Sequence, residues 1–121
     1  MEKEIIDKIV KAGKIAQEIR RYAREIVIKG GSLFEIATLI DEKIATLGAK
    51  PAFPVNLSVN EVAAHYTPSF GDTSVARGLL KVDIGVQIDG YIADTAFSID
   101  LDNLPENKKL IETAEAAVNA S

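Results

Sequence analysis

The sequence has no cysteine and no tryptophan, and it has one histidine and one methionine among its 121 residues. Without cysteine the chain can form neither a disulfide framework nor a thiolate metal site, so oxygen and imidazole ligands remain for any metal. The formal net charge is -4, and no run of lysine and arginine offers the basic surface that nucleic acids require. We therefore expect no nucleic-acid partner.

Long hydrophobic runs are also missing. The start, MEKEIIDKIVKAGK, alternates charged and apolar residues, which is typical of neither a signal peptide nor a membrane span. We expect no membrane partner and a cytoplasmic localisation. A hydrophobic fraction of 47% with 26% charge is in the range of soluble globular chains, and the length fits one domain or a part of one.

The first part of the chain predicts two helices. Ser32 followed by Glu35 is a capping-box signature, which predicts the start of a helix over residues 33–47, and Gly48 fits the left-handed position just past its end. A longer helix over residues 3–28 is predicted by an apolar face whose members recur at spacings of four and three: Ile5, Ile9, Ala12, Ala16, Ile19, Ala23 and Ile26. This face fits either a coiled-coil seam or packing against a sheet, and we favour the sheet.

The middle of the chain changes character twice. Residues 51–77 contain three prolines and many turn formers, and they predict a loop-rich segment with short strand-like runs at most. From Leu79 the apolar residues alternate, which predicts a strand. Asp89-Gly90 is a strong hairpin signal, so the residues from Tyr91 to Ile99 should return antiparallel. The closing segment KKLIETAEAAVNAS has helical spacing.

The hairpin brings two carboxylates together. A two-residue turn puts Gly85 opposite Asp94, so that Asp83 and Asp94 become diagonal neighbours on one face, with Cα atoms about 7–8 Å apart. Gly85 should leave open space there. Two carboxylates this close repel unless one is protonated, one is paired with a base, or a cation lies between them. From spacing alone, scattered solvent-facing acids, a divalent-metal site and an acid-catalytic dyad all remain open.

His65 lies in the proline-bounded segment NEVAAHYTP, beside Tyr66 and not far from Phe53. A single histidine is most often an ordinary hydrogen-bonded or exposed residue. The alternative is a catalytic role, because a neutral imidazole can hydrogen-bond a substrate carbonyl or amide near a metal.

Two segments, PAFPVNLSVNEVAAHYTP and LLKVDIGVQIDGYIADTAFSID, together resemble the type 2 methionine aminopeptidases, particularly the archaeal ones. The resemblance covers nearly the whole chain. It implies the α+β pita-bread fold, in which an antiparallel sheet carries long helices on one face, and residues 1–121 would be the N-terminal half of the catalytic domain. The implied activity is hydrolytic removal of the initiator methionine from nascent proteins whose second residue is small.

The resemblance also implies roles for single residues. Asp83 and Asp94 match the metal-binding aspartates, His65 matches the histidine that contacts the substrate at the scissile bond, and Phe53 matches an aromatic residue of the methionine pocket. The implied cofactors are two divalent metal ions, which could be Co, Mn, Fe, Zn or Ni.

The resemblance further implies that the ligand set in this chain is incomplete. The family completes its site with one histidine and two glutamates from the second half, and this chain has no counterpart of them. We therefore expect the isolated chain to be inactive unless a C-terminal half chain or a homodimer supplies them. A noncatalytic pita-bread-like binding module and a self-associating half-domain are the alternative interpretations.

Overall fold

The computed structural model describes residues 2–59, 71 and 73–102. In this part of the chain, α1 (Glu2–Ile26) and α2 (Leu33–Thr46) precede the strands β1 (Lys50–Val59), β2 (Leu79–Ile88) and β3 (Tyr91–Asp100). The strands form one antiparallel sheet in the order β1-β2-β3. Both predicted helices and the predicted hairpin are confirmed, with bounds close to those expected.

The hydrophobic core lies between the helices and one face of this sheet. α1 packs over β2 and β3, and α2 packs over β1. Along β2 the core-facing residues alternate with residues that point to the other face of the sheet. Among the latter, Lys81 is exposed, and Asp83 and Gln87 are half-buried. Fully buried side chains on the core side include Ile19, Ile40, Ile44, Leu57, Leu80 and Ile84. The prediction that α1 packs on a sheet is therefore confirmed.

The apolar face of α1 is only partly covered. Its central members Ala12, Ala16 and Ile19 are buried, but Ile5 and Ile9 are 40% and 50% exposed. The first turns of α1 thus carry the apolar pattern beyond the area that β2 and β3 cover in the described part of the chain.

The ends of α2 follow the sequence signals. The Ser32 hydroxyl accepts a hydrogen bond from the backbone N–H of Glu35 at 3.2 Å, which satisfies one of the free donors at the helix start. Gly48 has φ +84°, a left-handed conformation that suits glycine just past a helix end. Ahead of α2, the loop pairs with residues 74–76: Gly30 N–H donates to the Ala76 carbonyl, and Ala76 N–H donates to the Gly31 carbonyl, both at 2.7 Å.

The expectation of a loop-rich segment is wrong for its first residues, which belong to β1. This ten-residue strand contains Pro51 and Pro54, yet it pairs with β2 through most of its length. Proline lacks the N–H needed for a central ladder but is tolerated on edge strands and at bulges. In the sheet that the described residues form, β1 is an edge strand with register shifts on both sides of Phe53. Residues 60–70 and 72, also predicted as loop, lie outside the described residues.

The β2–β3 hairpin has the predicted turn. Asp89 has φ +50° and Gly90 has φ +88°, the two positive values of a type I′ turn, whose twist matches that of the flanking strands. The helix predicted in the C-terminal segment lies outside the described residues. Neither α1 nor α2, the helices of the described part, has the length and apolar character needed to cross a bilayer.

Candidate metal centre

Asp83 and Asp94 lie on the same face of the sheet, on neighbouring strands. The register pairs Gly85 with Asp94 and Asp83 with Ala96, as the two-residue turn predicted. Directly paired residues project to one face, so the two aspartates are diagonal neighbours with Cα atoms about 7–8 Å apart. This face is the one opposite the helices. The core-facing residues of β2, among them Val82 and Ile84, alternate with the carboxylate-bearing side.

The two carboxylates differ in exposure. Asp83 is half-buried, and its Oδ1 atom is fully buried, whereas Asp94 is exposed. Asn56 on β1 pairs with Asp83 and therefore adds a polar side chain to the same row. A cation bound here would contact a shielded oxygen on one side and remain accessible from solvent on the other.

This donor set fits a divalent metal ion in part. Carboxylate oxygens are common ligands of divalent cations, and a cation between two neighbouring carboxylates offsets their mutual repulsion. Across residues 2–59, 71 and 73–102, no group of three or more histidine, cysteine, aspartate or glutamate side chains is arranged to hold a metal. A complete site needs more donors than this pair.

The expectation of open space at Gly85 is wrong, because the ring of Phe53 occupies it. A Cβ atom built on Gly85 would lie 2.6 Å from Cδ1 and 2.7 Å from Cζ of Phe53, and closer still to Cε1. Phe53 pairs with Gly85 across β1 and β2, so its side chain shares the face of Asp94. The structure thus places Phe53 on the sheet face that carries both aspartates, with its ring against Gly85. His65 lies outside the described residues.

The strand that carries Asp94 is held from the core side by an arginine of α1. One Nη atom of Arg20 lies 3.4 Å from both the Thr95 hydroxyl and the Ala96 carbonyl oxygen. The Arg20 guanidinium lies 5.3 Å from the centre of the Phe97 ring, and that of Arg24 lies 4.7 Å from it, both within the range of cation–π attraction. The sequence pattern gave no signal for this cluster, because it depends on how α1 crosses β3.

Asp89 has a structural position, away from the aspartate pair. It forms an ion pair with Lys8 of α1 at 3.1 Å, which joins the hairpin turn to the start of the helix. The hydrogen bond from Lys8 to Asp89, and then their charge attraction, raise the pKa of Lys8 above its usual value. Asp89 is therefore a turn residue, as its position before Gly90 indicated.

Comparison with known proteins shows which family this chain belongs to. The model of "Metallopeptidase family M24" matches residues 7–121. The methionine aminopeptidase of Pyrococcus horikoshii is 49% identical over 122 residues, an alignment that spans 96% of this chain and 41% of that protein. The methionine aminopeptidase of Methanocaldococcus jannaschii is 43% identical over 98% of this chain and 40% of its own length. The chain thus spans about two-fifths of these relatives.

Solved structures give the same result for the fold. The methionine aminopeptidase of Rickettsia prowazekii superposes with a TM-score of 0.82 and 26% identity, covering 97% of this chain and 50% of that one. The enzyme of Thermotoga maritima gives a TM-score of 0.78 and 27% identity, covering 88% of this chain and 47% of that one. The α+β arrangement described above is that of the pita-bread methionine aminopeptidases. The chain belongs to metallopeptidase family M24.

Proposed function

We propose that this chain is the N-terminal half of a methionine aminopeptidase, in which Asp83 and Asp94 are metal ligands. The observation that carries the proposal is their diagonal placement on the sheet face opposite the helices, next to an aromatic ring. Membership of a metallopeptidase family supports a hydrolytic role for this face. The substrate is the N-terminus of a nascent polypeptide that begins with methionine and has a small second residue.

The metals are divalent ions, two in number, of the group Co, Mn, Fe, Zn and Ni. When bound, such a pair supplies a low-pKa water and stabilises the charge that develops on the scissile carbonyl. Asp83 and Asp94 would hold the ions through their carboxylate oxygens. A family-like site needs one histidine and two glutamates in addition, so we propose that a C-terminal half chain completes it. A homodimer would bring four aspartates and no matching glutamate, which makes it the poorer partner.

Two further residues of this chain would act on the substrate. Phe53, whose ring lies against Gly85, the residue that pairs with Asp94, would contact the methionine side chain and exclude water from it. Apolar contact of this kind favours a long, unbranched, polarizable side chain. His65, outside the described residues, would hydrogen-bond the substrate near the scissile bond and keep its carbonyl in position.

The direct test is methionine release from a Met-Ala peptide in the presence of Co²⁺ or Mn²⁺. The chain is assayed alone and with a polypeptide that matches the C-terminal half of the archaeal relatives. We expect release only in the combined sample, and only when Asp83 and Asp94 are intact. Absence of activity in both samples contradicts the proposal.

Calorimetry with Mn²⁺, Co²⁺ and Zn²⁺ provides the second measurement. Asp94→Asn should weaken binding of the metal ion to the chain. Asp7→Asn is the control: it removes the same charge from an exposed position on α1, and it should leave metal binding unchanged. Binding that is unaffected by Asp94→Asn would favour a noncatalytic binding module instead.

A further inference from the structure

Gly85 lies between two residues of the proposed site. It pairs with Phe53 of β1 on one side and with Asp94 of β3 on the other, so the three form one row across the sheet. Glycine inside a strand weakens the strand and often marks a place where another group approaches closely. Here the approaching group is the edge of the Phe53 ring formed by Cδ1, Cε1 and Cζ, which takes the place of a Cβ atom.

The local register of β1 shows that Phe53 is turned toward this face by two irregularities. Pro51 pairs with Val86, so a regular ladder would pair Phe53 with Ile84 on the core side. The observed partner is Gly85, because a register shift lies between Pro51 and Phe53. A slip of one residue moves a side chain to the opposite face of a sheet.

A second register shift, between Phe53 and Asn56, restores the core-facing register. After it, Leu57 pairs with Val82 and Val59 pairs with Leu80, and all four side chains are buried. In a regular strand Phe53, Leu57 and Val59 would all point to the same face. The two shifts turn Phe53 away from the core, while Leu57 and Val59 stay in it. Bulges that redirect a side chain in this way occur preferentially near active sites.

We propose, on the basis of the function proposed above, that Gly85 is the positioning residue for Phe53. Its missing side chain lets the ring edge settle onto the sheet beside Asp94, and this sets the space left for the substrate's N-terminal side chain. Carbon atoms in contact normally stay about 3.5–4.0 Å apart. A methyl group at position 85 would therefore force the ring to move by roughly 1 Å, since two of its atoms lie 2.6 and 2.7 Å from the Cβ position. A shift of that size at a substrate contact can reduce the rate by about 100-fold.

The first experiment measures the ring position directly in the chain itself. Mn²⁺ is added to protein labelled at phenylalanine, and the paramagnetic broadening of each ring signal is recorded by NMR. Phe53 should be broadened much more strongly than Phe97, because Phe97 pairs with Val82 on the core face and lies farther from the aspartates' face. In Gly85→Ala the broadening of Phe53 should fall severalfold with Mn²⁺ affinity unchanged. Equal broadening in the two proteins would overturn the proposal.

Two further variants keep the result interpretable. Gly13→Ala is the matched control, because a Cβ atom at Gly13 meets nothing within 4 Å. Gly85→Ala combined with Phe53→Leu makes room for the added methyl, and we expect it to recover any thermal stability that Gly85→Ala loses. If the double variant is no more stable than Gly85→Ala, the loss comes from the strand itself and not from a clash with the Phe53 ring, which contradicts the proposal.

The same samples separate failure of this inference from failure of the proposed function. If the unchanged chain does not bind Mn²⁺, the metal-site proposal fails. The ring position is then read from the ring-current shift of the Gly85 Hα signals, which Phe53→Leu should abolish; persistence of that shift would overturn the inference. If Mn²⁺ binds and Phe53 is not broadened, the metal site stands and the inference fails.

The functional measurement is kcat/KM for a methionine peptide, made on the chain combined with a C-terminal half. Gly85→Ala should lower kcat/KM for a methionine peptide by at least about tenfold, and by much less in a Phe53→Leu background, since coupled neighbours are not additive. Equal losses in both backgrounds would show that Gly85 does not act through Phe53.

Discussion

Asp83 and Asp94 project from neighbouring strands onto the sheet face opposite α1 and α2, in pairs that are two positions apart in the β2–β3 register. This placement follows from the alternation of side chains along β2, because Val82, Ile84 and Val86 fill the core while the residues between them face away from it. One face of the strand stabilises the fold, and the other carries the acids. Substitutions on the two faces should therefore have separable effects.

Removing the Asp94 carboxylate should affect metal binding and leave the fold intact. We expect Asp94→Asn to weaken Mn²⁺ binding by more than about tenfold, the loss typical of disturbing even an outer partner of a metal ligand. Thermal stability without metal should not fall, because Asp94 is exposed and its charge is close to that of Asp83. Calorimetry and a thermal melt on the same sample check both parts, and a melt lowered by several degrees would show a structural role.

The core face should respond in the opposite way. Ile84 is fully buried, so Ile84→Ala should reduce the free energy of unfolding by about 2–5 kcal/mol through lost burial and a cavity. Ile92 is the matched control on β3: it is 62% exposed and pairs with Gln87 on the other face. Ile92→Ala should cost less than about 1 kcal/mol. Urea denaturation measures both values, and similar losses would contradict the assignment of faces.

The hairpin could be predicted from the sequence because its signals are local. Asp89-Gly90 has the residues that a type I′ turn requires, and once the turn is fixed the register of β2 and β3 follows residue by residue. The juxtaposition of Asp83 and Asp94 was therefore accessible without coordinates.

β1 could not be predicted in the same way, and neither could the contact between Phe53 and Gly85. The two register shifts break the period-two pattern of β1, and the prolines resemble loop signals unless the strand is known to lie at an edge. Which residue opposes Phe53 depends on pairing with a strand far along the chain. Local spacing suggested empty space at Gly85, whereas a neighbouring strand fills it.

The turn itself can be tested at Asp89, whose φ of +50° is unfavourable for most side chains. Asp89→Ala should lower the free energy of unfolding by about 1–2 kcal/mol, because alanine lacks the tolerance of aspartate and asparagine for this conformation. Asp89→Asn keeps that tolerance and loses only the charge attraction to Lys8, a largely exposed pair. We expect it to stay close to the unchanged protein in urea denaturation. Equal losses would show that the ion pair dominates.

The last prediction concerns pH and the ion pair between Lys29 and Asp102, which joins the loop after α1 to the residues after β3 at 3.0 Å. The hydrogen bond from Lys29 lowers the pKa of Asp102 below its usual value of 3.8. A depressed carboxyl pKa in the folded state adds stability above the unfolded pKa, and this contribution disappears as the pH falls through the folded pKa.

Asp102→Asn should therefore melt at a slightly lower temperature than the unchanged chain at pH 7, and the difference should vanish at a pH well below 3.8. The effect should be small because both side chains are partly exposed. Lys29→Met provides the control, since removing the other partner should give the same pH dependence. Thermal melts across the acidic range measure it. A difference that persists at low pH would mean that Asp102 acts through contacts other than its charge.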